Sequence, residues 1–195
     1  MNLPNKLTVS RIILAPIFLA LILIDTVWAQ AAALVTFTVA ALTDAYDGYL
    51  ARKTGVVTGF GKFMDPLADK ILTSSAFVAF IALGYARAWM VLPIIVRELF
   101  ITGLRSIAAY RGVVILPSFL AKLKTFLQMT VIVMILGFIN IKTFSPPLGL
   151  DWQWISSPMV YVVFDYLIFA TMVITVYTGF DYIWRNASML KGLLK

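Results

Sequence analysis

The sequence contains neither cysteine nor histidine. Without cysteine there is no disulfide framework and no thiolate metal site. Without histidine there is no Ser-His triad, no imidazole metal ligand and no imidazole acid–base chemistry. Catalysis in this chain therefore has to run on carboxylates, Lys, Arg, Tyr, hydroxyls or a bound metal. Charge is also scarce. Asp, Glu, Lys and Arg make up 13% of the 195 residues, about half the share usual in soluble domains. Hydrophobic residues make up 62%, well above the roughly 45–50% of a soluble domain. Lipid is the solvent this balance suits. No internal repeat or low-complexity tract divides the chain, and the length suits one integral-membrane domain over residues 1–195.

A membrane-spanning helix needs about 20 mostly apolar residues. Six such stretches are present, near 7–25, 29–51, 62–84, 88–110, 119–140 and 159–184. The expected fold is thus all-α, a polytopic membrane protein with six transmembrane helices. The opening apolar run continues past the short core of a cleaved signal peptide, so it is read as retained. Residues 140–158 hold Pro146, Pro147, Gly149 and Pro158 and read as the longest loop. Trp152 and Trp154 there suit a membrane interface.

The net charge of +7 comes from 16 basic and nine acidic side chains. With six spans, one side would carry Lys6, Arg11, Arg52, Lys53, Lys62, Lys70, Arg105, Arg111, Lys122, Lys124, Arg185, Lys191 and Lys195, and the other Arg87 and Lys142, with Arg97 mid-span and counted on neither side. This asymmetry places both termini in the cytoplasm. The basic excess points to loops facing anionic lipid rather than to nucleic acid.

Four of the nine acids fall within one short stretch: Asp44 and Asp47, then Asp65 and Asp69. Charge inside a span is costly and is usually functional. Spacings of three and four place each pair on one helix face. The eight residues between Arg52 and Gly61 allow the chain to reverse, so two antiparallel helices would aim four carboxylates at one point. Bare, these would repel. Divalent cations remove the repulsion, and all-oxygen ligation favours Mg²⁺, Mn²⁺ or Ca²⁺. Two metals sharing carboxylates form a clamp suited to in-line displacement at phosphate. Gly48 and Gly61 let a bulky group, or another helix, approach the backbone. Arg52 is placed to grip a phosphate as a fork. Lys53, Lys62 and Lys70 read as surface or snorkelling residues.

This stretch resembles the signature of the CDP-alcohol phosphotransferase family, D-x2-D-G-x2-A-R-x8-G-x3-D-x3-D. Asp44, Asp47, Gly48, Ala51, Arg52, Gly61, Asp65 and Asp69 fill its eight fixed positions, and the six-span layout fits the same fold. The resemblance implies transfer of a phospho-alcohol unit from a CDP-linked donor to an acceptor hydroxyl, releasing CMP. It implies two divalent cations, Mg²⁺ or Mn²⁺, on Asp44, Asp47, Asp65 and Asp69. Asp69 would also take the acceptor proton. Gly48, Arg52 and Thr58 would contact the donor, and Gly61 belongs to the same donor set. A homodimer is implied by the resemblance alone.

Other segments resemble the phosphatidylglycerophosphate-forming branch of that family: Asn2 to Arg11, Arg97 to Arg105, Gly112 to Val114, and Ala121 to Met129. That branch joins CDP-diacylglycerol to sn-glycerol 3-phosphate. Arg105, Lys122 and Lys124 lie at the expected cytoplasmic ends of the fourth and fifth spans and suit the acceptor's phosphate; they equally suit positive-inside anchoring. Thr8 and Arg11 suit either donor headgroup contact or interface anchoring. Arg97 and Glu98 are deeper. Helix neighbours point about 100° apart, so these two need not pair, whereas Glu98 and Arg105 share a face. At least one of this group is expected to shape a polar cavity. A family member with another acceptor, such as inositol phosphate, serine or a different alcohol, is the nearest alternative. A divalent cation transporter is a further one, disfavoured because the acids cluster toward one side of the membrane.

Overall fold

A computed structural model describes the backbone of residues 3–54, 59–111, 119–149 and 152–187, and the side chains of 7–44, 64, 66–111, 120–149, 152–155 and 157–187. Among these residues there is no strand. Six α-helices follow one another: α1 (Leu3–Ile22), α2 (Val27–Thr54), α3 (Gly59–Ala82), α4 (Ala88–Tyr110), α5 (Phe119–Phe144) and α6 (Pro158–Arg185). They match the six apolar stretches in number and position.

Each helix is 20–28 residues long. At 1.5 Å rise per residue this is about 30–42 Å, enough to cross a hydrocarbon core of about 30 Å. By length and apolar composition three helices qualify as spans among the described residues: α2 in its segment Val27–Asp44, α5 over Leu120–Phe144, and α6 throughout. The apolar part of α1, Leu7–Ile22, is shorter. The charges in α3 and α4 lower their hydropathy, and several of those charges are turned into the bundle, as described below. Proline stands inside α1, α3 and α4, at Pro16, Pro66 and Pro93. Neighbouring helices compensate such interruptions in membrane proteins.

Local chemistry sets the helix ends. Gly84 follows α3 at φ 76°, a left-handed turn that glycine adopts without a Cβ penalty. Ser157 caps α6 by accepting from the Met159 amide at 3.3 Å, with Pro158 at the first helical position. The segment read as one loop from residue 140 is shorter than expected. α5 runs on to Phe144, and two 3₁₀ turns, Pro146–Leu148 and Gln153–Ser156, fold the remainder. Asn140, which reads as a break, donates from its amide to the Leu136 carbonyl at 2.9 Å within α5. Trp152 and Trp154 stack at 5.9 Å and stay exposed.

Packing sorts the helices into two interlocked sets. α1 lies against both α2 and α3, while α4 and α5 both pack on α6. Contacts of α3 with α4 and of α2 with α5 join the sets. α2 and α3 touch each other much less than either touches α1. The core is apolar and aromatic: Phe18 meets Phe37 at 5.3 Å between α1 and α2, and Phe138 meets Phe164 at 5.3 Å between α5 and α6. Many large apolar side chains on α2, α4 and α6 point outward, among them Val35, Val96, Phe180 and Trp184. This is the surface a helix bundle presents to lipid, and the protein is a membrane protein.

Candidate functional site

The four aspartates sit on two unbroken helices. α2 runs through Asp44 and Asp47, and α3 runs through Asp65 and Asp69. Their spacings of three and four are therefore helical spacings, as expected. Asp44 and Asp69 have described side chains; those of Asp47, Arg52 and Asp65 lie outside the described set, Gly48 and Gly61 are described in backbone only, and Thr58 lies outside altogether. The convergence of all four carboxylates rests on residues in that group.

α1 supplies a partner the sequence reading lacked. Arg11 donates from its guanidinium to Oδ1 of Asp44. The Arg11 side chain is 1% exposed and that of Asp44 is 43% exposed. Arg11 thus lies inside the bundle, with its charge delivered to a carboxylate, and does not act as a surface anchor. Thr8, one turn earlier, is also buried. A buried guanidinium is stable only when paired and hydrogen-bonded.

A second network begins at Asp69. The Lys70 ammonium stands 2.7 Å from Oδ2 of Asp69 and 3.3 Å from Oε2 of Glu98 on α4. Lys70 is 14% exposed. This corrects its reading as a surface or snorkelling lysine: a buried acceptor on another helix holds the ammonium inside. The Lys53 and Lys62 side chains lie outside the described set.

Glu98 is the centre of this network. Its Oε1 accepts from Lys124 on α5 and from Arg97 at 2.9 Å. Among the described residues three cations from three helices meet on one buried carboxylate. Arg97 does pair with its neighbour Glu98, which helix geometry left open. The long arginine stem makes up for the 100° offset between consecutive residues. The other end of Arg97 is fixed on α6, where Nη2 donates to Thr178 Oγ1 at 3.1 Å. Arg97 crosses α6 at Gly179; a Cβ there would fall 2.9 Å from Arg97 Cγ. Next to it, Gln128 on α5 donates to Thr175 Oγ1 at 3.5 Å.

The three basic residues read as acceptor contacts divide. Arg105 and Lys122 are exposed, and Lys124 is buried against Glu98. Glu98 does not pair with Arg105, although the two share a helix face. The hydroxyl of Tyr182 is buried near Arg105 and Arg97 and has no hydrogen-bond partner among the described residues. Tyr182, Thr178 and Gly179 were not singled out in the sequence. Glycine and threonine repeating along an apolar helix at helical spacing were the available signal.

The donor set suits hard divalent cations. Asp44 and Asp69 each keep part of their surface open, 43% and 32% exposed, beyond the cation that each already meets. Carboxylate oxygens on helical spacing in a chain without cysteine or histidine offer Mg²⁺ or Mn²⁺ ligands and no soft ones. Among the described residues no group of three acidic side chains converges; a full set needs Asp47 and Asp65.

Comparisons with known proteins agree with this arrangement. The family model for CDP-alcohol phosphatidyltransferase matches residues 1–177. A Bacillus subtilis (strain 168) protein named CDP-diacylglycerol–glycerol-3-phosphate 3-phosphatidyltransferase is 37% identical, with 97% of each chain covered. An Escherichia coli (strain K12) protein of the same name is 39% identical over 72% of this chain and 79% of its own. A Mycobacterium tuberculosis (strain H37Rv) protein named probable phosphatidylglycerophosphate synthase is 36% identical over 98% of this chain and 85% of its own. With the family model matched over most of its length, the chain belongs to the CDP-alcohol phosphatidyltransferase family.

Proposed function

We propose that the protein transfers the phosphatidyl group of CDP-diacylglycerol to sn-glycerol 3-phosphate, giving phosphatidylglycerophosphate and CMP in phospholipid biosynthesis. The observation that carries this reading is the match to proteins named for that reaction along nearly the whole chain, at 37% identity in the Bacillus subtilis case. The site supports it. Asp44 and Asp69 lie on the two helices that both dock on α1, each with an open carboxylate face.

In this reading the acceptor hydroxyl attacks the phosphorus that bears the diacylglycerol. A new P–O bond forms, the P–O bond to CMP breaks, and CMP leaves with the bridging oxygen. The acceptor proton passes to Asp69. Lys70 meets Oδ2 of Asp69, and in this reading Oδ1 takes the proton of the incoming hydroxyl. Arg11 holds the Asp44 carboxylate in place from α1. Gly48, Arg52, Thr58 and Gly61 are assigned to the donor, together with Thr8 and Arg11 at the start of α1. Arg105 and Lys122 are exposed cations suited to the acceptor phosphate, with Lys124 behind them on Glu98. Two divalent cations, Mg²⁺ or Mn²⁺, held by Asp44, Asp47, Asp65 and Asp69, would neutralise the donor pyrophosphate and the charge on departing CMP.

The chain is read as one catalytic domain of six membrane-spanning helices in the cell membrane, as a homodimer, with both termini and the active site facing the cytoplasm. The basic residues named above support that orientation. The test is CMP release from labelled CDP-diacylglycerol with a panel of acceptors. Release with sn-glycerol 3-phosphate is expected. Release with inositol phosphate or serine, and none with sn-glycerol 3-phosphate, would move the protein to another branch of the family. Metal flux in vesicles without CMP release would favour a transporter.

A further inference from the structure

We infer that Glu98 is a positioning residue for the reaction, acting through Lys70 on Asp69. The inference rests on the reading of Asp69 as the group that takes the acceptor proton. Its physical basis is a chain of contacts across four helices. Lys70 follows Asp69 directly, and successive helix residues diverge by about 100°. A lysine in that place has no intrinsic reason to lie on its neighbour's carboxylate. Its flexible stem favours carrying the ammonium out to water. In the structure the ammonium stays inside because Oε2 of Glu98 lies 3.3 Å away, in addition to Oδ2 of Asp69 at 2.7 Å.

The two oxygens of Glu98 are divided. Among the described residues Lys124 and Arg97 both donate to Oε1, and Lys70 alone meets Oε2. The carboxylate is thereby held in one orientation, with one oxygen aimed at α3. Arg97 cannot easily relax, since Thr178 binds its far end and Gly179 lets its stem lie directly on the α6 backbone. The order of support runs from Gly179 and Thr178 through Arg97 and Glu98 to Lys70. At its end, the oxygen of Asp69 not held by Lys70 is presented to the reaction. Among the described residues Glu98 pairs with Lys70, Lys124 and Arg97 and reaches Asp69 only through Lys70.

The test is steady-state CMP release by the full-length protein in detergent, with sn-glycerol 3-phosphate as acceptor, for wild type, Glu98→Gln, Lys70→Gln and the double variant. Misplacing a reacting group by about 1 Å costs on the order of 100-fold in rate. Glu98→Gln is therefore expected to lower kcat by about 10–100-fold while KM for CDP-diacylglycerol changes little. In the Lys70→Gln background the same substitution should add almost no further loss, because its effect is transmitted through Lys70. A role confined to packing would give equal factors in both backgrounds and would overturn the inference. So would a Glu98→Gln enzyme with wild-type kcat. Gly179→Ala provides an independent arm if Glu98→Gln does not fold. It removes no charge, yet its Cβ displaces Arg97, and kcat should fall while KM for the donor holds. Unchanged kcat in a folded Gly179→Ala protein would count against the proposed support chain and overturn the inference. A wild-type protein that released no CMP with sn-glycerol 3-phosphate would instead refute the functional reading, so the two failures are distinct.

Discussion

Arg11 and Asp44 form an ion pair between α1 and α2 in which the cation is buried and the carboxylate remains half open. The arrangement is asymmetric in a useful way. A guanidinium sealed inside the bundle keeps its charge and its planar fork, while the carboxylate it steadies still faces outward. Arg11→Gln is expected to cut CMP release at least about tenfold, as loss of a charge-assisted hydrogen bond at a positioned carboxylate does. Arg11→Lys should recover only part, because an ammonium cannot reproduce the fork. Full activity in Arg11→Gln would show that the pair serves helix packing alone.

Asp44 and Asp69 are expected to fail in different ways. Asp69→Asn removes the proton acceptor, and general-base catalysis contributes about 10²–10⁴-fold; turnover should fall by that order while donor binding persists. Asp44→Asn should instead raise the Mg²⁺ or Mn²⁺ concentration needed for half-maximal rate. Titrating each variant with metal at saturating donor separates the two. An Asp69→Asn enzyme with near-normal turnover at saturating metal would remove the base assignment.

Metal removal gives a further check. Chelation should abolish CMP release, with recovery on adding Mg²⁺ or Mn²⁺ and little on adding Zn²⁺. The donor set is all oxygen, and this chain has no cysteine or histidine to attract softer ions. Activity that survives exhaustive chelation would exclude the cation role.

The burial difference among the basic residues predicts a split in their phenotypes. Arg105→Gln and Lys122→Gln, at exposed positions, should raise KM for sn-glycerol 3-phosphate and leave thermal stability close to wild type. Lys124→Met removes one partner from a buried carboxylate; breaking such a pair typically costs about 3–5 kcal/mol. Its first effect should therefore be a lower unfolding midpoint in detergent, measured by scanning fluorimetry. A stable Lys124→Met protein with only a raised KM for sn-glycerol 3-phosphate would return Lys124 to the acceptor site.

How much of this was legible in the sequence depended on distance along the chain. The six helices were, because each coincides with a long, mostly apolar stretch bounded by polar or turn-forming residues. The aspartate pairs were, because helical spacing of three or four is local. The end of α5 was not. Asn140 reads as a break, yet its side-chain N–H donates to the carbonyl four residues back and the helix runs on. The Glu98 network was least legible. Lys70, Lys124 and Thr178 lie 28, 26 and 80 positions from Glu98 in the chain, and nothing in their spacing says which helix faces meet. Gly179 shows the same limit. Its lack of a side chain matters only because Arg97 crosses it. Arg11 was singled out early, but whether it faced water or a carboxylate was decided only by α1 packing on α2.

Orientation can be tested without disturbing the site, because the chain carries no cysteine to remove first. Trp152 lies beside the second 3₁₀ turn between α5 and α6, and Asn186 caps the end of α6; among the described residues neither takes part in the ion-pair networks. Single variants Trp152→Cys and Asn186→Cys should react with a membrane-impermeant maleimide on opposite sides. With both termini in the cytoplasm, as the excess of basic residues expected on that side implies, Trp152→Cys should label in intact cells. Asn186→Cys should label only after the membrane is opened. Labelling of Asn186→Cys in intact cells would reverse the orientation and place Asp44 and Asp69 away from a cytoplasmic acceptor. Labelling of both from one side would mean that α6 does not cross the membrane.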